Sequence, residues 1–266
     1  MKKILKSITH YNLLFIYKKG MVFILWMLGI LTFHTLYYSG YKNVSIIDIY
    51  LLSFGGVNVE SLNTVQMLIA ILPYIIIAII TDIYISKMMG KSALFPLVRM
   101  NKKLYFISHF LSLFIIIFVV LLIYQLLLLL IIFNFYERIP LSNNNLFTQP
   151  LFNITISFSK LISTSFLIQL LGTCAMSSMQ VAITYKVKKF SVGFVFVLIV
   201  YIIQVGLPDF YFFLGQHVLL SKMNILQNDL MDILIFSSKQ ILLIIIIGFY
   251  CYFKKQSNII DVTERG

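Results

Sequence analysis

The stretch LYFISHFLSLFIIIFVVLLIYQLLLLLIIFNFY, residues 104–136, decides the fold class because it contains no Asp, Glu, Lys or Arg. A helix needs about 20 mostly apolar residues to cross a bilayer, and a straight helix of this length would measure about 50 Å. The stretch also lacks the Gly or Pro that would form a turn between two spans. We therefore predict one long, tilted membrane helix that projects beyond the hydrocarbon core.

The composition of the whole chain agrees with a membrane protein. Hydrophobic types make up 60% of the 266 residues and charged types only 11%, whereas soluble domains carry about 25% charged residues. This excludes an ordinary cytosolic enzyme, a disordered chain and a disulfide-stapled secreted domain. The two cysteines, Cys174 and Cys251, lie in apolar runs and form no CxxC pair, so we predict buried free thiols.

Apolar stretches elsewhere complete an all-α integral membrane protein with one domain, residues 1–266, and six transmembrane helices. The predicted spans are residues 21–38, 64–81, 104–135, 161–185, 190–207 and 233–253. Apolar residues recur at helical spacing in residues 2–17, which predicts an amphipathic interfacial helix. Residues 46–54 are predicted to form a short surface helix. Residues 208–232 contain the aromatic cluster Phe210–Phe213 and are predicted to dip back into the outer leaflet.

The distribution of cations predicts the orientation. With the N-terminus inside, 16 of the 21 Lys and Arg residues lie on the inner side and 5 on the outer side. Cytoplasmic loops of membrane proteins accumulate Lys and Arg, so both termini are predicted to be cytoplasmic. The net charge of +12 is spread over four separate loops and tails, which is not the concentrated basic patch of a nucleic-acid-binding protein.

Catalytic and cofactor motifs are missing from the sequence. There is no HExxH zinc motif and no GxSxG nucleophile turn, and the four histidines lack metal-ligand spacing. Gly90-Lys91-Ser92 invites a P-loop interpretation, but Ile85 stands where that motif needs its first Gly. We predict that the chain is not an enzyme and has no catalytic, cofactor or metal site.

Polar residues within the spans offer candidates for a translocation pathway. Carboxylates are scarce there, which argues against an ion-driven carrier, because coupling usually needs an ionisable group at depth. The candidate pathway-lining residues are Gln125, Gln169, Cys174 and Gln204. The alternative interpretation is that such side chains hold helices together.

Residues 81–103, TDIYISKMMGKSALFPLVRMNKK, carry a resemblance to a known family. An acidic residue at the end of the second span, then a Gly, a Pro and an Arg, here Asp82, Gly90, Pro96 and Arg99, resemble the pattern of ABC-2 type exporter membrane subunits. Six spans with both ends inside, an amphipathic leading helix and a semi-buried outer segment are similar to that architecture.

The resemblance implies a mechanism with separate subunits. Two copies of an ATPase subunit would hold ATP and magnesium, and two membrane subunits would pair as a homodimer or a related heterodimer. The loop 82–103 would couple this chain to the ATPase. The implied coupling residues are Asp82, Lys87, Pro96, Arg99, Lys102 and Lys103.

The substrate class and location also follow from the resemblance. The transported substrate would be amphipathic or hydrophobic, a peptide, in the manner of peptide export or bacteriocin immunity. The abundance of Ile, Leu, Phe, Lys and Asn is typical of low-GC Gram-positive bacteria, so we expect a multi-pass protein of the bacterial cell membrane. Two alternatives remain: a six-span intramembrane enzyme, and a non-transporting sensor or assembly subunit.

Overall fold

The structure is a computed structural model that describes 154 of the 266 residues. The described residues are 26–30, 33, 50–51, 53–54, 64–89, 102–135, 158–187, 189, 191–206, 216–218 and 230–263. Within them the regular structure is all helical, which confirms the all-α part of the predicted fold class, while the number of spans and the side of the termini stay predictions. The interfacial helix predicted at 2–17 lies outside these residues, and so does most of the predicted first span, 21–38.

Five α-helices and one 3₁₀ helix account for most of the described chain. They are α1 Thr64–Met89, α2 Lys102–Phe135, α3 Phe158–Val187, α4 Val192–Gly206, the 3₁₀ helix Gln216–Val218 and α5 Leu230–Thr263. Helices α1, α2, α3 and α5 are long and apolar enough to cross a membrane. Helix α4, with 15 residues, is shorter than a usual span.

The observed end of α1 differs from the predicted one. The sequence analysis ended this span at 81 and assigned Asp82 and Lys87 to a loop, but the helix continues to Met89. The reason is that apolar residues resume directly after Asp82. Tyr84 and Ile85 are both fully buried, so packing extends the helix past the single charge. Lys102 and Lys103 likewise form the first turn of α2.

Helix α3 is the centre of the bundle. It contacts α1, α2, α4, α5 and the 3₁₀ helix. In its most apolar window 61% of the residues are buried, which is close to the 67% of α1 and well above the 39% of α2 and the 22% of α5. The outer faces of α2 and α5 carry exposed Leu, Ile and Phe side chains, a surface suited to lipid. Helix α3 is thus largely shielded by its neighbours.

Residues near position 50 are part of this core. Tyr50, Leu51 and Phe54 are fully buried, and the ring of Tyr50 lies 5.9 Å from that of Phe158. The ring of Phe54 lies 5.7 Å from that of Tyr124. Residues 50, 51 and 53 are helical as predicted, but the predicted surface location is wrong, because the aromatic side chains pack between α2 and α3.

One end of the bundle gathers the end of α1, the start of α2 and the turn between α3 and α4. The hydroxyl of Tyr84 lies 2.7 Å from Nδ1 of His109 on α2. Ser191, in the turn, donates to Oδ2 of Asp82 over 3.5 Å. Ser191 has a positive φ of 66°, and its carbonyl accepts the N–H of Val195 in the first turn of α4. The left-handed residue therefore reverses the chain between α3 and α4.

Candidate functional site: a buried polar stripe on helix α3

Helix α3 carries polar side chains along one face. We call this set of six residues the polar stripe: Ser165, Gln169, Thr173, Ser177, Gln180 and Thr184. All six are at most 2% exposed. Because an α-helix turns about 100° per residue, they fall within about 120° of its circumference and extend about 28 Å along its axis. This is close to the thickness of the hydrocarbon core, about 30 Å.

A polar group buried among apolar side chains is costly unless it is hydrogen-bonded, so the partners of the polar stripe determine its energetic state. At the end nearest the start of α3, the Ser165 hydroxyl donates to the carbonyl of Ile162 over 3.0 Å. The Tyr50 and Ser165 oxygens lie 2.6 Å apart. Since the Ser165 proton is already used, Tyr50 is the donor in that pair. This end of the polar stripe is satisfied.

The next level joins α2 to α3. Nε2 of Gln125 donates to Oε1 of Gln169 over 3.0 Å. Nε2 of Gln169 is buried and has no hydrogen-bond partner among the described residues, and the same is true of the Tyr124 hydroxyl. This level therefore holds one interhelical bond together with donor capacity that is not used.

Two further contacts join the polar stripe to α1. The hydroxyls of Thr81 and Ser177 lie 3.3 Å apart. Nε2 of Gln180 donates to the carbonyl of Ala78 over 2.9 Å. Oε1 of Gln180 has no partner in the described part of the chain.

Helix α4 approaches the last part of the polar stripe very closely. A Cβ atom at Gly193 would overlap the carbonyl oxygen of Gln180 and Oγ1 of Thr184. A glycine is therefore needed at this crossing, because only a hydrogen fits between the two helices. The Thr184 hydroxyl oxygen is buried and unpaired within the described residues. The polar stripe thus ends in a tight crossing that leaves a polar atom unsatisfied.

The four predicted pathway residues occupy different places. Gln125 and Gln169 are brought together by their hydrogen bond. Gln204 is buried on α4. Cys174 is buried in an apolar cluster, about 120° around α3 from the middle of the polar stripe.

Of the predicted coupling residues, Asp82 is the one whose side chain lies in the described part of the chain. Its Oδ1 is buried and has no partner among the described residues, while Oδ2 accepts from Ser191. Lys87, Lys102 and Lys103 lie on helix ends. Pro96 and Arg99 lie outside the described residues.

The sequence analysis missed most of the polar stripe, although a signal was present. Four polar residues recur at intervals of four, from Ser165 to Ser177, which is the spacing of one helical face. The partners on α1 carry no comparable signal, since Thr81 is 96 residues away from Ser177.

The arrangement offers hydrogen bonding inside an apolar bundle. Among the described residues no three His, Cys, Asp or Glu side chains are grouped so that they could hold a metal ion.

Comparison with known proteins does not identify a related protein: no family model, no curated protein and no solved structure matches the chain.

Proposed function

We propose that this chain is the membrane subunit of an ATP-driven exporter of the ABC-2 type, moving an amphipathic peptide out of a bacterial cell. The observation that carries the proposal is the polar stripe, a continuous polar face that extends through most of an otherwise apolar bundle. Simple helix association does not require polar groups that remain unpaired. A translocation pathway needs such unpaired groups, because a passing substrate must form hydrogen bonds with them.

The unpaired atoms are distributed along the polar stripe. Nε2 of Gln169, Oε1 of Gln180 and Oγ1 of Thr184 are all buried without a partner in the described residues. From position 169 to position 184 they extend about 22 Å along α3. Each unsatisfied buried group costs about 1–3 kcal/mol. A peptide with free backbone N–H and C=O groups would recover this cost if the helices parted around it.

The helices would part at the seam between α1 and α3, where Gln180 also donates to the Ala78 carbonyl over 2.9 Å. Its hydroxyl contact, Thr81 with Ser177, is long at 3.3 Å, and α1 leads directly into the segment that resembles a coupling loop. ATP-driven closure of two ATPase subunits could pull on that segment and bias the seam between two states. Such a shift requires the ATPase to bind the two states with different affinity.

In this proposal both termini are cytoplasmic, and the end of the bundle that holds Asp82 and Ser191 faces the cytoplasm. The test uses single thiols at opposite ends of α3, Lys189→Cys and Ser159→Cys, both at exposed positions. In intact cells an impermeant thiol reagent should label position 159 and should label position 189 only after lysis. The reverse pattern would overturn the orientation.

The function itself is tested by reconstitution. The purified chain should show no ATPase activity, and a separate ABC ATPase subunit from the same cell should co-purify with it and hydrolyse ATP in response to peptide. Arg99→Ala should uncouple that response, whereas Lys189→Ala, an exposed cation in the α3–α4 turn, should not. Turnover by the isolated chain would favour an intramembrane enzyme. Stable binding to a signalling protein, without peptide-stimulated ATP hydrolysis, would favour a sensor or assembly subunit.

A further inference from the structure

The 3₁₀ helix Gln216–Val218 lies inside the bundle, against α1, α3 and α4. The side chains of His217 and Val218 are both fully buried. The imidazole ring of His217 meets the ring of Tyr74 edge-on, with centroids 5.1 Å apart and planes at 83°. It meets the ring of Tyr201 in the same way, at 5.8 Å and 80°. A segment that follows α4 therefore returns to the middle of the bundle and inserts a histidine there.

Gly172 provides the space for this ring. A Cβ atom at position 172 would overlap Cβ, Cγ and Nδ1 of His217. The imidazole therefore rests directly on the backbone of the central helix, and only glycine permits that approach. Gly172 directly precedes Thr173 in the chain, so the ring lies beside the polar stripe.

Few polar contacts hold the segment in place. The Tyr74 hydroxyl donates to the backbone carbonyl of His217 over 3.2 Å. Neither ring nitrogen of His217 has a hydrogen-bond partner in the described part of the chain. A neutral imidazole has one donor and one acceptor, so both are left unsatisfied in an apolar site. Leaving the bundle would hydrate both nitrogens and break one described side-chain hydrogen bond.

We propose that residues 216–218 form a releasable plug between α1, α3 and α4, and that protonation of His217 releases it. Packing of His217 and Val218 holds the plug at neutral pH, and an imidazolium is strongly disfavoured in a site where the described residues offer neither ring nitrogen an acceptor. Release would uncover the backbone at Gly172, next to the polar stripe. The inference does not rest on the proposed export function, because it concerns only how this segment is held.

The pH window follows from the groups that surround the ring. Burial lowers the pKa of His217 to about 3, whereas a hydrated histidine has a pKa of about 6.5. Among the described residues, the groups that face the ring are the neutral phenols of Tyr74 on α1 and Tyr201 on α4, and the backbone at Gly172 on α3. None of them changes charge between pH 5 and 8.

The direction of the effect is therefore fixed. Above pH 6.5 neither state binds the proton, and docking does not depend on pH. As the pH falls from 6.5 towards 3, only the released state binds it, so the ratio of released to docked plug increases. Between pH 8 and pH 5 this ratio should rise about 30-fold.

The test measures access to the plug in the full-length chain in lipid nanodiscs. Val218→Cys places a thiol on the plug, and its reaction with a pyridyl disulfide is followed at pH 8 and pH 5. Each rate is divided by the rate for the denatured protein at the same pH, which removes the intrinsic pH dependence of the thiol. The native buried thiols, Cys174 and Cys251, report whether the bundle stays intact.

We expect the normalised rate at position 218 to rise about 30-fold at pH 5, with no change at the native thiols. Adding His217→Phe keeps a ring in the site but removes the proton acceptor, and the rise should vanish. Adding Gly172→Ala should increase labelling at both pH values, because its methyl group displaces the ring. An equal rise in the His217→Phe background, or no rise although Gly172→Ala increases labelling, would overturn the proposal.

Discussion

Replacing the paired glutamines separates the two roles that a buried polar pair can have. In Gln125→Met, Oε1 of Gln169 loses its donor, while Nε2 of Gln169 is already unpaired within the described residues. An interhelical hydrogen bond in a membrane protein contributes about 0.6 kcal/mol on average. An acceptor stranded in an apolar interior costs about 1–3 kcal/mol. We therefore expect Gln125→Met to lower the free energy of unfolding by about 2 kcal/mol.

The partner replacement should cost less. Gln169→Met strands the donor of Gln125, but it also removes an amide nitrogen that was buried without a partner. These effects oppose each other, so the expected loss is about 1 kcal/mol. The double variant removes the polar groups of both glutamines and leaves the Tyr124 hydroxyl as it is in the native chain, and unbranched methionine fills a similar volume. Its stability should equal that of the native chain, whereas the two single losses add up to about 3 kcal/mol.

The assay is unfolding of the purified chain in mixed micelles, followed by helix content as the fraction of denaturing detergent rises. Ser238→Ala is the control, because Ser238 is exposed on α5 and its replacement should change stability by less than about 0.5 kcal/mol. Additive losses in the double variant would refute the reasoning. In the reconstituted transporter, a stable double variant that no longer moves peptide would assign the pair to the pathway; unchanged transport would leave it a structural contact.

Three other substitutions test the geometry described above with the same unfolding assay. Gly193→Ala should lower the free energy of unfolding by about 1–3 kcal/mol, because its methyl group overlaps α3; Gly248→Ala is the control, since nothing lies within 4 Å of its added Cβ. Thr184→Val should increase stability by about 1 kcal/mol, because it removes a hydroxyl that is buried without a partner among the described residues. Thr164→Val, whose hydroxyl donates to two backbone carbonyls, should instead decrease it. Ser191→Gly should stabilise the turn by about 1 kcal/mol, because glycine adopts a φ of 66° without strain. A loss of stability in that variant would show that the hydroxyl matters more than the backbone.

The helices that the sequence predicts well are those whose apolar runs are long and free of charge. Residues 104–135 were predicted as one helix, and α2 runs from Lys102 to Phe135. The sequence predicts the end of α1 poorly, because the single charge at Asp82 is typical of a helix end. Buried packing of Tyr84 and Ile85 overrides that local signal, and such packing depends on residues elsewhere in the chain.

The candidate site is predictable only in part, for a similar reason. Spacing along α3 marks a polar face, but it does not show whether that face meets lipid, water or another helix. The pairing of Gln125 with Gln169 joins residues 44 positions apart. The bond from Tyr74 to His217 joins residues 143 positions apart. The aromatic cluster predicts that residues 208–232 approach the membrane. It does not predict that His217 contacts Gly172, because that contact depends on how three separate helices come together.

The polar stripe also has a consequence for biosynthesis. A helix that carries six buried polar side chains partitions into lipid less readily than α2, because each polar group must give up water before it meets a partner. Most of those partners lie on Tyr50, α1 and α2, all of which precede α3 in the chain and leave the ribosome first. We expect α3 to enter the bilayer alongside helices already in place, and a truncated chain that begins at α3 to be left at the membrane surface.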